Sequence, residues 1–215
     1  MTKHVKIDFV SDVSCPWCAV GLAGLEEALS RNADGIDAEI TFHPYELNPG
    51  MPRGGQNIVE HVAQKYGSTL AQSEANRAVL NARAADAGFD MAIDADSRIY
   101  NTFDAHRLLH WARLQGRQLE LKKALFTENF TKNRDISDYG VLSDAVAAAG
   151  LDASEAEAVL HSGLYAGDVR SEVEHWRWRG VSSVPSIVFN DRHLVSGGHP
   201  VEAFEELLRR VAEET

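Results

Sequence analysis

Strand-like alternation occurs only at the two ends of this chain, and everything between reads as helix. At the start, Val5, Ile7 and Phe9 alternate with Lys6 and Asp8, the period of a strand. The stretch SDVSCPWCAVG, residues 11–21, follows at once. Beyond it Leu22, Leu25 and Leu29 recur at helical spacing, with Glu26, Glu27 and Arg31 on the other face, and Gly35 closes the region. AEITFHPYEL, Ala38 to Leu47, reads as a second strand closed by Pro44, Pro49 and Pro52. Two strands joined through a helix should run parallel with a right-handed crossover.

From about Asn57 to Arg179 the patterns are helical: Ile58–Tyr66, Thr69–Ala87, Thr102–Leu114, Leu119–Thr131, Tyr139–Ala149, Glu155–Ser162 and Gly167–Arg179. Gly67, Gly88, Gly116, Gly150 and Gly163 sit where C-cap glycines belong, and Asp138 and Ser154 where N-caps do. No repeat period points to a solenoid. After Pro185, SIVFN and HLVSG flank a turn at Asn190-Asp191-Arg192 and read as a hairpin. Pro200 then opens a last helix with a Val201, Phe204, Leu208 and Val211 stripe, acidic early and basic late, as the helix dipole favours. The fold class is therefore α/β: a β-α-β start and a β-β-α finish make one mixed sheet in the thioredoxin arrangement. Residues 1–56 and 180–215 form that domain, split by an all-helical insertion over 57–179.

With 44% hydrophobic residues the chain can build a core. Its net charge of -11, from 21 Lys and Arg against 32 Asp and Glu, argues against nucleic acid as a partner. Arg177, Arg179 and Arg209-Arg210 are the nearest approach to a basic cluster and read as helix-end charges. MTKHVKIDFVSDV lacks the apolar run of a signal peptide, and no segment approaches the ~20 apolar residues of a membrane span. The expectation is a cytoplasmic protein without a membrane partner; a secreted form trimmed of its leader stays open, and oligomeric state is not legible.

The only two cysteines, Cys15 and Cys18, lie within one helical turn. They could be half a metal site, an inert buried pair or a redox dithiol. Zinc wants about four ligands, and there is no second CxxC. His106 and His110 have ligand spacing but lack the Glu of HExxH, so no metal is expected and packed or solvent-facing histidines are the plainer reading. Trp111, Trp176 and Trp178 read as core or interface residues, the last two pointing to different sides of their helix. At a strand-to-helix junction the dithiol reading gains force. Unpaired N–H groups and the dipole there favour a thiolate at Cys15, the species that attacks disulfides. Cys18, one turn in, is shielded and suited to resolve a mixed disulfide. Pro16 fits the first turn without losing a donor, and Trp17 offers an apolar face beside the sulfurs.

SDVSCPWCAVG, FHPYELNPGMP, NTFDAHRLLHWA, ALFTENFTKNRDISD and GVSSVPSIVFNDRHLVSGGHP, in this order, resemble the DsbA family of thiol–disulfide oxidoreductases, in particular its cytoplasmic FrnE-like branch. The resemblance implies a thioredoxin-like domain with a helical insertion, Cys15 as attacking and Cys18 as resolving thiol. It also implies a cis Val184–Pro185 bond whose backbone pairs with substrate, and a roof in which Asn101, Thr102 and His106 line the site. No resident cofactor is implied beyond the Cys15–Cys18 couple; disulfide- or dithiol-containing proteins, or small thiols with glutathione as candidate co-substrate, would be the partners. Many thioredoxin-like proteins bury a carboxylate six residues before the first cysteine; here that residue is Phe9, and alternation turns Asp8 to the opposite face. The proton acceptor for Cys18 is thus unassigned, with water as the default. Two other readings stay open: a glutathione-dependent 2-hydroxychromene-2-carboxylate isomerase or kappa-class transferase, which usually carry Ser at the Cys15 position, and a non-redox holdase. CxxC couples range from about -270 to about -120 mV, so the direction of exchange is not legible.

Overall fold

The computed structural model describes residues 2–214. Strand β1 (Lys3–Ser11) leads through Cys15 into helix α1 (Pro16–Arg31) and returns as β2 (Ile36–Pro44). β1 and β2 are parallel, with Val5 opposite Ala38 and Phe9 opposite Phe42. At the far end of the chain β5 (Ser186–Phe189) and β6 (His193–Ser196) form the hairpin, and α9 (Val201–Glu213) closes the fold. β5 runs antiparallel to β1, so the sheet has order β2-β1-β5-β6. Asn190 and Asp191 take φ of 50° and 58°, and the Arg192 N–H donates to the Phe189 carbonyl at 3.0 Å. That left-handed turn suits the twist of a hairpin and the tolerance of Asn and Asp for positive φ.

The two faces of β1 serve different neighbours. Val5, Ile7 and Phe9 are fully buried in the main core, with Leu25 of α1 and Phe204 and Leu208 of α9. Val10 faces the other way, into a smaller cluster with Tyr45, Trp176, Val181 and Val188.

Between β2 and β5 the chain runs through a ribbon strand β3 (Gln56–Asn57), α2 (Ile58–Tyr66), α3 (Leu70–Asp86), β4 (Arg98–Ile99), α4 (Phe103–Leu114) and α5 (Gln118–Phe126). A π-helical turn (Thr127–Thr131), α6 (Tyr139–Ala148), α7 (Ala153–His161) and α8 (Ala166–Trp178) complete it. The helices start where side chains can cap them. The Asn57 side-chain oxygen accepts from the N–H groups of Val59 and Glu60, Thr69 and Gln72 form a reciprocal capping box, and the Asp138 side chain accepts from the N–H groups of Gly140 and Val141. Leu80, Leu108, Phe126 and Leu142 of this segment belong to the same buried cluster as Phe9 and Phe204, so the helices and the sheet share one core.

Several sequence expectations shift. The second strand ends at Pro44 instead of Leu47, because the Leu47 N–H donates to the Asp12 carboxylate and leaves the ladder. Helix α7 is capped by Asp152, whose carboxylate accepts from the N–H groups of Ser154 and Glu155, so Ser154 lies inside the helix. Gly67, Gly88, Gly116 and Gly150 do adopt positive φ, but after α7 the left-handed residue is Tyr165, with φ 62°, and not Gly163. The β3–β4 ribbon is too short to show as alternation. Trp176 is 3% exposed and Trp178 is 85% exposed, so the pair does point to different sides. Among the described residues no helix is long and apolar enough to cross a membrane.

Candidate active site

The loop between β1 and α1 is built around Asp12. One carboxylate oxygen accepts from the Ser14 N–H at 3.2 Å; the other accepts from the Ser14 hydroxyl at 3.0 Å and the Leu47 N–H at 2.7 Å. The Cys15 N–H donates to the Asp12 carbonyl, and the Asn129 side-chain amide donates to the Val13 carbonyl at 2.9 Å. Asn129 lies in the π-helical turn, whose wider spacing is a frequent local adjustment at functional sites. Thus α5 and its π turn hold the loop from one side and the segment after β2 from another.

Cys15 is the N-cap of α1, with φ -96° and ψ 108°, and Pro16 occupies the first turn. The Cys18 N–H donates to the Cys15 carbonyl at 3.0 Å, so the two residues bracket one turn. Both are free thiols. Cys15 is 4% exposed, Cys18 is 0% exposed and Trp17 between them is 36% exposed. The Cys15 thiol donates to the Val184 carbonyl at 3.5 Å, and the Val184–Pro185 peptide is cis. Gly198, in the loop after β6, comes close to the start of α1: a Cβ there would stand 2.9 Å from the Trp17 carbonyl oxygen.

Cys15, Pro16, Trp17 and Val184 open onto a groove of about 730 Å³, walled by Ile58, Val62, Val79, Leu80, Ile99 and Phe130 among others. The wall is largely apolar, with His61, Asn76 and Arg77 as polar members. Asn101, Thr102 and His106, expected as site lining, are not part of this wall. The Asn101 side-chain amide donates to the Pro49 and Met51 carbonyls, and its oxygen accepts from the Phe103 N–H at the start of α4. Thr102 and His106 are buried behind the loop, with His106 Nε2 3.4 Å from Asp12 Oδ1. They sit under the floor because α4 packs on the inner side of the Asp12 turn.

The electrostatics are concentrated behind the sulfurs. Burial pushes the Asp12 carboxyl up, but His106, the Leu47 N–H and Thr102 outweigh it and hold it below its ordinary value. Burial, with Cys15 alongside, pushes the Cys18 thiol well above its ordinary value, against the pull of Lys122 and the Asp12 backbone N–H. Lys122 is 0% exposed, and its Nζ has no hydrogen-bond partner. It lies 4.8 Å from the centre of the Phe126 ring and 5.9 Å from that of Phe42. Burial presses the Lys122 ammonium down to about 8, while Cys18, Asp12 and Cys15 pull it up. Sequence reasoning passed over Lys122. The signal was there: Gln118, Leu121, Lys122, Leu125 and Phe126 form one buried stripe of α5, with a lysine in an apolar position.

Comparison with known proteins adds to this geometry. The sequence model of the DSBA-like thioredoxin domain matches residues 6–209. A probable DsbA oxidoreductase of Streptomyces coelicolor, SCO1869, is 34% identical in its crystal structure, superposes with a TM-score of 0.90, and the match covers 99% of this chain and 92% of that one. The uncharacterized protein YwbO of Bacillus subtilis is 24% identical over 209 residues, 97% of this chain and 96% of that protein. A 2-hydroxychromene-2-carboxylate isomerase shares the fold at 14% identity, with a TM-score of 0.72 over 97% of each chain. The chain belongs to the DSBA-like thioredoxin domain family.

Proposed function

We infer that this protein exchanges disulfides through Cys15 and Cys18, with protein or small-thiol substrates, as a cytoplasmic oxidoreductase or isomerase. In this reading 57–179 is an insertion into a thioredoxin-like domain made of 1–56 and 180–215. The observation that carries the proposal is the disposition of the two sulfurs: Cys15 at the open amide end of α1, against the Val184 carbonyl and facing the groove, and Cys18 fully buried behind it.

The chemistry follows from that disposition. An extended substrate pairs its backbone beside Val184, in the manner of strand addition, and lays apolar side chains or an apolar body in the groove. The Cys15 thiolate attacks the nearer substrate sulfur, because only the thiolate is a competent nucleophile. A mixed disulfide forms, and Cys18 then attacks Cys15 and releases the reduced substrate. Trp17 shields the face of the couple, and the dry surroundings of Cys18 keep the resolving thiol from reacting with bulk oxidants. Glutathione is a candidate co-substrate on the same terms as any small thiol.

Trapping tests this reading. Cys18→Ser should accumulate mixed disulfides with substrate, whereas Cys15→Ser should form none and lose insulin-reducing activity. Full activity in Cys15→Ser would overturn the assignment. The shared fold of the isomerase and the small-molecule size of the groove favour a second reading, glutathione-dependent isomerisation. Turnover of an aromatic pyran substrate that survives Cys18→Ser would select it.

A further inference from the structure

A buried thiol cannot act as a nucleophile until its proton has somewhere to go. Cys18 has no exposure, and its surroundings hold the proton in place. Asp12 is a poor acceptor: its oxygens already take three hydrogen bonds and its carboxyl is held in the charged form. Two buried side-chain nitrogens behind the site lack a hydrogen-bond partner, His106 Nε2 and Lys122 Nζ, and the first lies against a carboxylate, 3.4 Å from Asp12 Oδ1. Lys122 Nζ is enclosed by the Phe42 and Phe126 rings, has no hydrogen-bond partner, and Cys18 is the ionisable group that acts on it most strongly. A small cavity of about 10 Å³ lies beyond it, lined by Lys122, His106, His110, His43 and Glu172. Such a volume has room for about one water molecule. Glu172 is 18% exposed and pairs with Arg113, so the cavity's far wall reaches the surface.

We propose that Lys122, as the neutral amine, accepts the Cys18 proton during resolution of the mixed disulfide and passes it outward through the cavity at Glu172. This rests on the disulfide-exchange reading above. Cys15 attacks the substrate disulfide; the Cys15–substrate bond forms, the substrate S–S bond breaks, and the departing sulfur takes a proton from solvent. Cys18 then yields its proton to Lys122 Nζ, and its thiolate attacks Cys15. The Cys15–Cys18 bond forms, the Cys15–substrate bond breaks, and the second substrate sulfur leaves as a thiolate. The electron pair that the cysteines lose is the one the substrate gains, and Lys122 ends as an ammonium. In the reverse direction Lys122 returns the proton to the departing Cys18. The charged groups around it are Asp12, Cys15 and Cys18 from the loop and α1, His43 from β2, His106 and His110 from α4, and Glu172 from α8.

The test uses the reduced full-length protein and dithiobis(nitrobenzoate), an aryl disulfide whose two thiolates absorb as they leave. The first release is bimolecular and reports Cys15; the second is unimolecular and reports resolution by Cys18. In the native protein the second phase should rise with pH through an inflection near the Lys122 value of about 8. Lys122→Met should slow that phase on the order of a hundredfold and abolish the inflection, with the first phase unchanged. Lys122→Arg keeps a charge but cannot give up its proton, so it should be as slow as Lys122→Met. A native-like second phase in Lys122→Arg would show that charge alone suffices and overturn the proposal, as would an unaltered profile in Lys122→Met. If no mixed disulfide forms at Cys15, the exchange reading and this inference fall together. Circular dichroism of each variant guards against misfolding, and the native pH profile tests the proposal even if both variants fail to fold.

Discussion

Asp12 uses both carboxylate oxygens to tie Ser14 and Leu47 together, so a single side chain sets the height of the loop that carries Cys15. Asp12→Asn would turn an amide N–H toward those donors, and the expected loss is about 2–4 kcal/mol in a urea titration at neutral pH. The pH dependence follows from the lowered carboxyl: the Asp12 contribution is present above 3.8, its ordinary value, and is lost as pH falls through the folded value. Lys122 works in the opposite sense. Its ammonium is disfavoured in the fold, so the unfolded chain binds the proton more tightly between about 8 and 10.5, and stability rises with pH across that window. Lys122→Met should therefore stabilise the protein at neutral pH, by on the order of 2–3 kcal/mol, with the gain fading toward pH ~10.5. A destabilised Lys122→Met at neutral pH would contradict this.

At the scale of elements, the site depends on parts that differ in how openly the sequence declares them. The strand, the CPWC turn and α1 are legible because their chemistry is written in adjacent residues, and the hairpin is legible because Asn190-Asp191 is a turn signature between two short strands. The π turn is not. Leu119 to Thr131 reads as one unbroken helix, and only the structure shows that the widened turn aims Asn129 at the Val13 carbonyl. Asn129→Ala should leave that buried carbonyl unpaired, costing about 1–3 kcal/mol and loosening the loop, measured as faster hydrogen exchange at residues 12–15. Gly198→Ala is the matching test from the other side, since the added methyl would press on the Trp17 carbonyl and part the loop after β6 from α1. Thr102 and His106 show the converse error. Their place beside the site in the family pattern suggested a lining role, but α4 turns them inward onto Asp12.

Across the whole molecule, the sheet and the helical segment are joined by a shared core and by an ionic bridge centred on His43. His43 of β2 contacts Asp8 at 2.8 Å and Glu172 of α8 at 2.7 Å, with its ring 4.8 Å from that of Trp176. Burial presses the His43 pKa down, but the two carboxylates raise it above its ordinary 6.5. For Glu172, burial is outweighed by His110, His43 and Arg113, and its carboxyl is held far below its ordinary 4.5. The bridge thus contributes most between 4.5 and 6.5: it weakens as pH falls through the folded carboxylate values and as pH rises through the folded His43 value. The stability difference between the native protein and His43→Phe should be larger near pH ~5.5 than near pH ~8.5. The shared core further predicts one unfolding transition, coincident by near- and far-UV circular dichroism; two separated transitions would contradict it. This bridge was illegible because its partners lie far apart in the chain, and patterning along the chain reports only which face a residue takes. The side chains that fix the sulfurs, Asp12 and Asn129, lie outside the Pro16-Trp17 pair. In the proposed exchange reaction the dipeptide is therefore an exchangeable cassette: replacing it would retune how readily a Cys15–Cys18 disulfide is reduced while the anchorage of the two cysteines stays where it is.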